Sequence, residues 1–288
     1  MSSVEKTSTV RVAVTQHEPV WLDLEGTVNK TCSIVEEAAR AGAKLVAFPE
    51  TWIPGYPAWF CISLGFSERD GDSVYISQCL INENGEIRMK RRKMKPTHME
   101  RTIFGDGSGD SLANVIDLPD IHVAGWPPLD PYLEGSSGFW SMSAEGALNQ
   151  SQTYAIESQS FVLHATAVLT EAGIEVMRTK GSPIMGQPLG GRSAVIGPDG
   201  RVLSIAKTPG EELIIADLNL TDTTKAKLFA DASGHCSYLL SISRSSNKEA
   251  NFCNVDSRPD LLWLGADTAR KAVVRVQKIA EEQIEASG

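Results

Sequence analysis

Apolar residues alternate with others over residues 10–14 (Val-Arg-Val-Ala-Val), then recur at Val28, Cys32, Val35 and Ala39 before Gly42. The first spacing predicts a strand and the second a helix that stops at the glycine. Residues 45–48, Leu-Val-Ala-Phe, form a short continuous apolar run, as expected of a strand covered on both faces. Strand, helix and strand over this length imply a right-handed parallel crossover. From residue 65 the pattern changes to strands joined by tight turns, at Asp70-Gly71 and at Asn84-Gly85, so antiparallel pairs are expected to join the sheet. A second hairpin is expected over residues 193–206 around Asp199-Gly200, followed by a strand at 212–217. Residues 121–124 and 161–169 read as strands, the latter after a helix near 148–159. Val273, Val276, Ile279 and Ile284 lie near helical spacing and predict a terminal helix over 266–288. The order points to an α/β fold in one domain over residues 1–288, with its core at about 9–265.

Composition narrows the function. With 288 residues, 42% of them hydrophobic, the chain has material for a large core. Its formal net charge of −9 offers no general field for phosphate backbones, and the basic run 88–95 is too local to change that, so nucleic acid is not an expected partner. Five scattered cysteines, Cys32, Cys61, Cys79, Cys236 and Cys253, read as reduced thiols. No apolar run approaches the roughly 18 residues that span a bilayer. The opening residues lack the apolar stretch of a signal peptide, so no membrane association and a cytoplasmic location are expected. The histidines have no metal-ligand spacing with acids or thiols.

Glu50 follows directly after the buried strand, beside Phe48, Trp52 and Tyr56. A carboxylate walled by aromatic side chains would be partly desolvated and its proton affinity raised, which suits a general base; a strand-end ion pair is the alternative. Lys95 ends the run Lys90-Arg-Arg-Lys-Met-Lys95, ahead of Pro96. Such runs are usually solvated faces. The restriction imposed by Pro96, with Glu100 close enough to pair with an inward-pointing ammonium, singles out Lys95.

Residues 42–57, Gly-Ala-Lys-Leu-Val-Ala-Phe-Pro-Glu-Thr-Trp-Ile-Pro-Gly-Tyr-Pro, and residues 91–107, Arg-Arg-Lys-Met-Lys-Pro-Thr-His-Met-Glu-Arg-Thr-Ile-Phe-Gly-Asp-Gly, are two long and specific stretches. Together with 121–127 (Ile-His-Val-Ala-Gly-Trp-Pro) and 190–200 (Gly-Gly-Arg-Ser-Ala-Val-Ile-Gly-Pro-Asp-Gly) they resemble the nitrilase branch of the carbon-nitrogen hydrolases. The resemblance implies an α-β-β-α sandwich and a hydrolase that converts small organic nitriles to carboxylic acid and ammonia through a cysteine thioimidate. It implies Glu50 as general base, Lys95 as the cation that stabilises developing negative charge, and Glu100 as a supporting acid. Tyr56, Trp126 and Pro127 would line the substrate pocket. No metal or organic cofactor is implied, and a homo-oligomer is.

The chain departs from the family pattern at three places. Residues 114–120 run straight into the 121–124 strand, without the stretch that carries the family's nucleophilic cysteine. The nucleophile is therefore unknown; of the remaining cysteines Cys61 is the least implausible. Residues 57–65 also run short, and residues 236–256 read as an insertion. The sandwich is expected to be incomplete, and a catalytically inactive homologue or splice isoform is the competing functional reading. Strands lost from a sandwich leave unpaired edges, so the isolated chain is predicted to aggregate. Light scattering on the purified chain checks this; a monodisperse particle with a sharp, reversible thermal transition would contradict it.

Overall fold

The alternation of side chains along the strands dictates the layers. In β1 (Thr9–Gln16) Val12 and Val14 face one way and Ala13 the other, and β2 (Leu45–Ala47) repeats this with Leu45 and Ala47 against Val46. Val12, Val14, Leu45 and Ala47 meet Phe161, Leu163 and Ala165 of β7 (Phe161–Thr166) in a core between two sheets. Ala13 and Val46 instead pack with Ile34, Val35 and Ala38 of α1 (Leu24–Arg40) on the outer face of the first sheet. Val162 of β7 turns outward to Leu148 and Ala155 of α2 (Ala144–Ser158) on the second sheet. Helix, sheet, sheet and helix thus stack in four layers, as two-faced apolar strands require. This computed structural model describes residues 9–53, 61–82, 86–112, 120–135, 138–182 and 185–229.

The remaining strands are β3 (Cys61–Asp70), β4 (Ser73–Ile81), β5 (Ile87–Arg92), β6 (Ile121–Trp126), β8 (Ala194–Ile196), β9 (Val202–Ile205) and β10 (Glu212–Asn219). The first sheet has the order β10-β1-β2-β3-β4-β5 and the second β6-β7-β8-β9. β1 and β2 pair in parallel across α1, as the expected crossover demands. β3, β4 and β5 are antiparallel neighbours, as are β8 and β9. Helix α2 begins one turn before its expected start because Ser143 caps it, accepting from the Gly146 N–H, and its first residues are small. Two helices have no counterpart in the sequence reading, α3 (Glu171–Met177) and α4 (Thr221–Phe229). Both are short and bury few residues, Gly173 and Ile174 in one and Thr223 in the other, so they carry almost no apolar period. No helix among the described residues is long and apolar enough to cross a membrane. The expected insertion at 236–256 and the terminal helix at 266–288 lie outside the described residues.

The outer face of β3, β4 and β5 carries an ionic cluster that fixes how β5 sits. Arg92 donates to Glu68 from Nε (3.1 Å) and Nη2 (2.5 Å) and to Asp70 (2.9 Å), while its guanidinium lies 3.9 Å from the Tyr75 ring centre. Lys90 and Ser77 also donate to Glu68. Burial raises the Glu68 carboxyl, but the bonds from Arg92, Lys90 and Ser77 outweigh it and hold it down to about 2 from an ordinary 4.5. A depressed carboxylate stabilises the fold above its ordinary range, and the contribution fades as pH falls toward 2. Glu68→Gln is predicted to lower unfolding free energy by about 3 kcal/mol at pH 7, with the difference from wild type closing toward pH 2. Urea unfolding at several pH values checks this; a pH-independent difference would contradict it.

Candidate active site

Glu50 lies in a loop that a strand of each sheet approaches closely. The chain leaves β2 through Phe48 and Pro49, and the Glu50 backbone is enclosed by two glycines, Gly65 of β3 and Gly125 of β6. A Cβ on Gly65 would lie 2.4 Å from the Pro49 carbonyl oxygen and 2.6 Å from the Glu50 Cα; one on Gly125 would lie 2.8 Å from the Glu50 nitrogen. Only hydrogen in place of a side chain permits this approach from both sheets. Thr51 follows with φ 50°, a left-handed conformation that costs a β-branched residue on the order of 1–3 kcal/mol. Beyond it Trp52 is 1% exposed and packs with Phe48, ring centres 5.5 Å apart, while its Nε1 donates to Thr31 Oγ1 of α1 at 2.8 Å. Both aromatic residues belong to the core beneath α1. The expectation that they wall Glu50 is thus corrected: they anchor the loop and leave the carboxylate facing elsewhere. Tyr56 lies outside the described residues.

The cation that meets Glu50 is Lys93. Its Nζ lies 3.3 Å from Glu50 Oε2 and 3.1 Å from each oxygen of Glu100. Glu100 is held in turn by its own turn, accepting from the Thr97 N–H at 2.6 Å and from Thr97 Oγ1 at 3.1 Å. Lys95, the lysine expected here, is 75% exposed and pairs with Asp106, against 29% exposure for Lys93. Strand parity gives the reason. Lys90 and Arg92 point to the outer face with Glu68, so Arg91 and Lys93 point to the opposite one. Lys93 still donates its backbone N–H to Ile76 of β4 at 2.7 Å, but the chain bends at Met94 and Lys95, so the alternation does not carry Lys95 inward. The sequence signal that finds Lys93 is this period of two within the basic run.

Glu50, Lys93 and Glu100 line a cavity of about 780 Å³, whose lining also includes Val123, Trp126, Pro127, Leu129 and Met142. Trp126 and Pro127 thus lie where a pocket wall was expected. Burial raises the Glu50 carboxyl to about 7; Lys93 opposes the rise and Glu100 reinforces it. Burial would lower the Lys93 ammonium, but Glu50 and Glu100 outweigh it and raise its proton affinity. A carboxyl that titrates near neutrality can both take and return a proton, and a fixed ammonium beside it can stabilise a developing anion.

Behind the wall, Trp126 Nε1 donates to Ser151 Oγ of α2 at 3.1 Å, and Ser151 Oγ bonds His164 Nδ1 at 2.8 Å. His164 is fully buried and burial lowers it to about 3, so it is neutral. Its Nε2 has no partner among the described residues, which sets it apart from a fully satisfied core histidine. Nothing in the sequence pattern singled out this chain. His122 bonds Tyr154 through Nδ1 at 2.9 Å. The cysteine side chains described, Cys32 on α1 and Cys79 on β4, are free thiols that do not line the cavity. Burial raises Cys79 to about 11. The junction at 114–119, Cys236 and Cys253 and the side chain of Cys61 lie outside the described residues.

Because the backbone of Glu50 has no room to retreat, Gly65→Ala is predicted to destabilise the fold by about 1–3 kcal/mol. Gly210→Ala, where the added carbon would meet only Thr208 Oγ1 at 4.0 Å, adds no such collision. Denaturant midpoints of the two variants check this. A Gly65→Ala protein as stable as wild type would contradict the close approach.

The family model described as carbon-nitrogen hydrolase matches residues 11–126 and 132–228. An arylacetonitrilase of Hypocrea virens is 42% identical over 333 aligned positions, covering 93% of this chain and 95% of the relative. An arylacetonitrilase of Aspergillus niger is 43% identical over 336 positions, covering 94% and 93%. Both alignments are longer than the 288 residues of the chain, so the relatives carry stretches without a counterpart here, in agreement with the expected internal losses. Among solved structures, a carbon-nitrogen hydrolase from Helicobacter pylori has a TM-score of 0.60 at 16% identity, covering 89% of this chain and 99% of its own. Nit3 of Saccharomyces cerevisiae, a member of branch 10 of the nitrilase superfamily, has a TM-score of 0.58 at 17% identity, covering 80% and 97%. The chain belongs to the carbon-nitrogen hydrolase family, within its nitrilase branch.

Proposed function

We propose that the cavity is the substrate site of a nitrilase-type hydrolase for arylacetonitrile-like compounds, with Lys93 rather than Lys95 as its cation. The observation that carries this reading is the Lys93 ammonium held between Glu50 and Glu100 at the edge of an otherwise largely apolar cavity. The arylacetonitrilase relatives support the substrate class. In the proposed reaction Glu50 takes the proton of a cysteine thiol, and the sulfur adds to the nitrile carbon to give a thioimidate, the proton passing to nitrogen. Lys93 stabilises the negative charge that develops, and Glu100 keeps Lys93 in position. One water then adds with loss of ammonia to give a thioester, and a second releases the carboxylic acid and the thiol.

A second reading, binding without turnover, is favoured by a specific observation: the cavity wall contains no sulfur among the cysteines described, and the relatives have stretches that this chain lacks. The same carboxylates and ammonium would then bind and polarise a nitrile or its amide without forming a covalent bond.

Ammonia release from phenylacetonitrile, with intact-mass analysis for a cysteine adduct and calorimetric binding, separates the two. Turnover is expected to fall by about 100-fold or more in Lys93→Ala and to change little in Lys95→Ala. Loss of turnover in Cys61→Ala would identify that thiol as the nucleophile. Lys93-dependent binding with neither ammonia nor adduct would establish the second reading. Activity or binding that survives Lys93→Ala but is lost in Lys95→Ala would contradict both.

A further inference from the structure

The cavity holds a cation that the reaction above does not use. Arg91 precedes Arg92 on β5 and, by the same parity as Lys93, turns to the cavity side, where it is half-buried. Its Nε and Nη2 donate to a single neutral acceptor, Gln78 Oε1, at 3.1 and 2.9 Å. Gln78 in turn donates its amide to Ser63 Oγ at 3.0 Å, so the guanidinium is held from a fixed partner on β4. Side-on pairing with Gln78 leaves the edge formed by Nη1 and the second Nη2 N–H without an acceptor among the described residues. That edge has the spacing of a carboxylate.

The charge balance of the cavity points the same way. Its walls carry Arg91, Lys93 and Arg101 against Glu50 and Glu100, so cations exceed carboxylates even with both acids ionised. Lys93 is engaged by both carboxylates, and Arg101 is exposed with its Nε on the Pro96 carbonyl oxygen at 2.9 Å. Arg91 is thus a half-buried cavity cation that feels Glu50 through space but makes no direct ion pair or hydrogen bond to a carboxylate among the described residues, in a chain whose overall charge is −9. A half-buried guanidinium whose hydrogen bonds go only to an amide gains more from a directly bound anionic ligand than an exposed one does. The other walls, with Val123, Trp126, Leu129 and Met142, suit an aryl or alkyl body and not a phosphate.

We propose that Arg91 forms a carboxylate subsite, through which the cavity binds arylacetate-type anions in preference to neutral compounds of the same shape. The subsite extends the nitrile reading, because hydrolysis of an arylacetonitrile would generate such an anion inside the cavity. It does not depend on turnover. Acids from other sources share the headgroup, and the apolar wall favours those with an aryl body.

Isothermal titration of the full chain with phenylacetate, its neutral counterpart phenylacetamide, and acetate tests this. Phenylacetate is expected to bind about tenfold or more tightly than phenylacetamide, and acetate more weakly than phenylacetate. Arg91→Met should remove the preference for the anion while leaving phenylacetamide affinity within about twofold, and Arg91→Lys should retain part of it. Equal affinity of wild type for phenylacetate and phenylacetamide, or binding of neither, would overturn the subsite without reference to any variant. Phenylacetonitrile bound in a Lys93-dependent manner alongside that equality would leave the nitrile reading standing. Arg91-dependent phenylacetate binding in a chain that neither binds nor hydrolyses nitriles would support the subsite and retire the nitrile reading.

Discussion

The ammonium of Lys93 between two carboxylates is the interaction on which the rest of the site depends. Glu50 and Glu100 converge on one point at the edge of a cavity, and two ionised acids cannot share such a place without a cation between them. Lys93 supplies it, yet burial keeps the Glu50 carboxyl near 7 instead of letting the ammonium pull it to the ordinary carboxylate range. The balance leaves a group ready to exchange a proton at neutral pH beside a cation that stays charged. A pocket with an excess of cations and a partly apolar lining follows, fit for a polarisable carbon–nitrogen group.

That arrangement is built from outside the cavity. The Arg92 cluster on the outer face fixes which residues of β5 turn inward, and a slip of one residue would exchange Arg91 and Lys93 for Lys90 and Arg92. On the other side, Gly65 and Gly125 allow β3 and β6 to close on the Glu50 backbone, while Trp52 and its bond to Thr31 secure the following loop under α1. The catalytic candidates themselves lie at strand ends and in a short turn. Their precision comes from packing and ionic contacts of residues that take no part in the proposed chemistry.

Much of this was legible in the sequence. β1, with valines at every second position, and the amphipathic α1 follow from where their apolar residues fall, β3 and β4 from the Asp70-Gly71 turn between them, and the two-sheet layers from the family resemblance. Short helices α3 and α4 escaped because an element that buries one or two residues leaves no period to detect. Glu50 and Glu100 were recognisable from their motif, and the pocket wall at Trp126 from its strand. Pro96 and the short sequence distance to Glu100 favour Lys95 in one dimension, but the period of two along β5 turns Lys93 inward and Lys95 lies beyond the end of the strand. Phe48 and Trp52 look like cavity walls in one dimension, but the left-handed Thr51 sends the chain back into the helix-side core. The Ser151–His164 chain behind Trp126 joins residues on different elements, a relation no local pattern contains.

Isotope-edited infrared or carbon NMR titration of the Glu50 carboxyl, in wild type and in Lys93→Met and Lys95→Met variants, reads out which ammonium acts on it. Titration near 7 is expected in wild type, with a clear upward displacement when the Lys93 ammonium is removed and none when that of Lys95 is removed. An upward displacement in Lys95→Met with an unmoved Lys93→Met would contradict it.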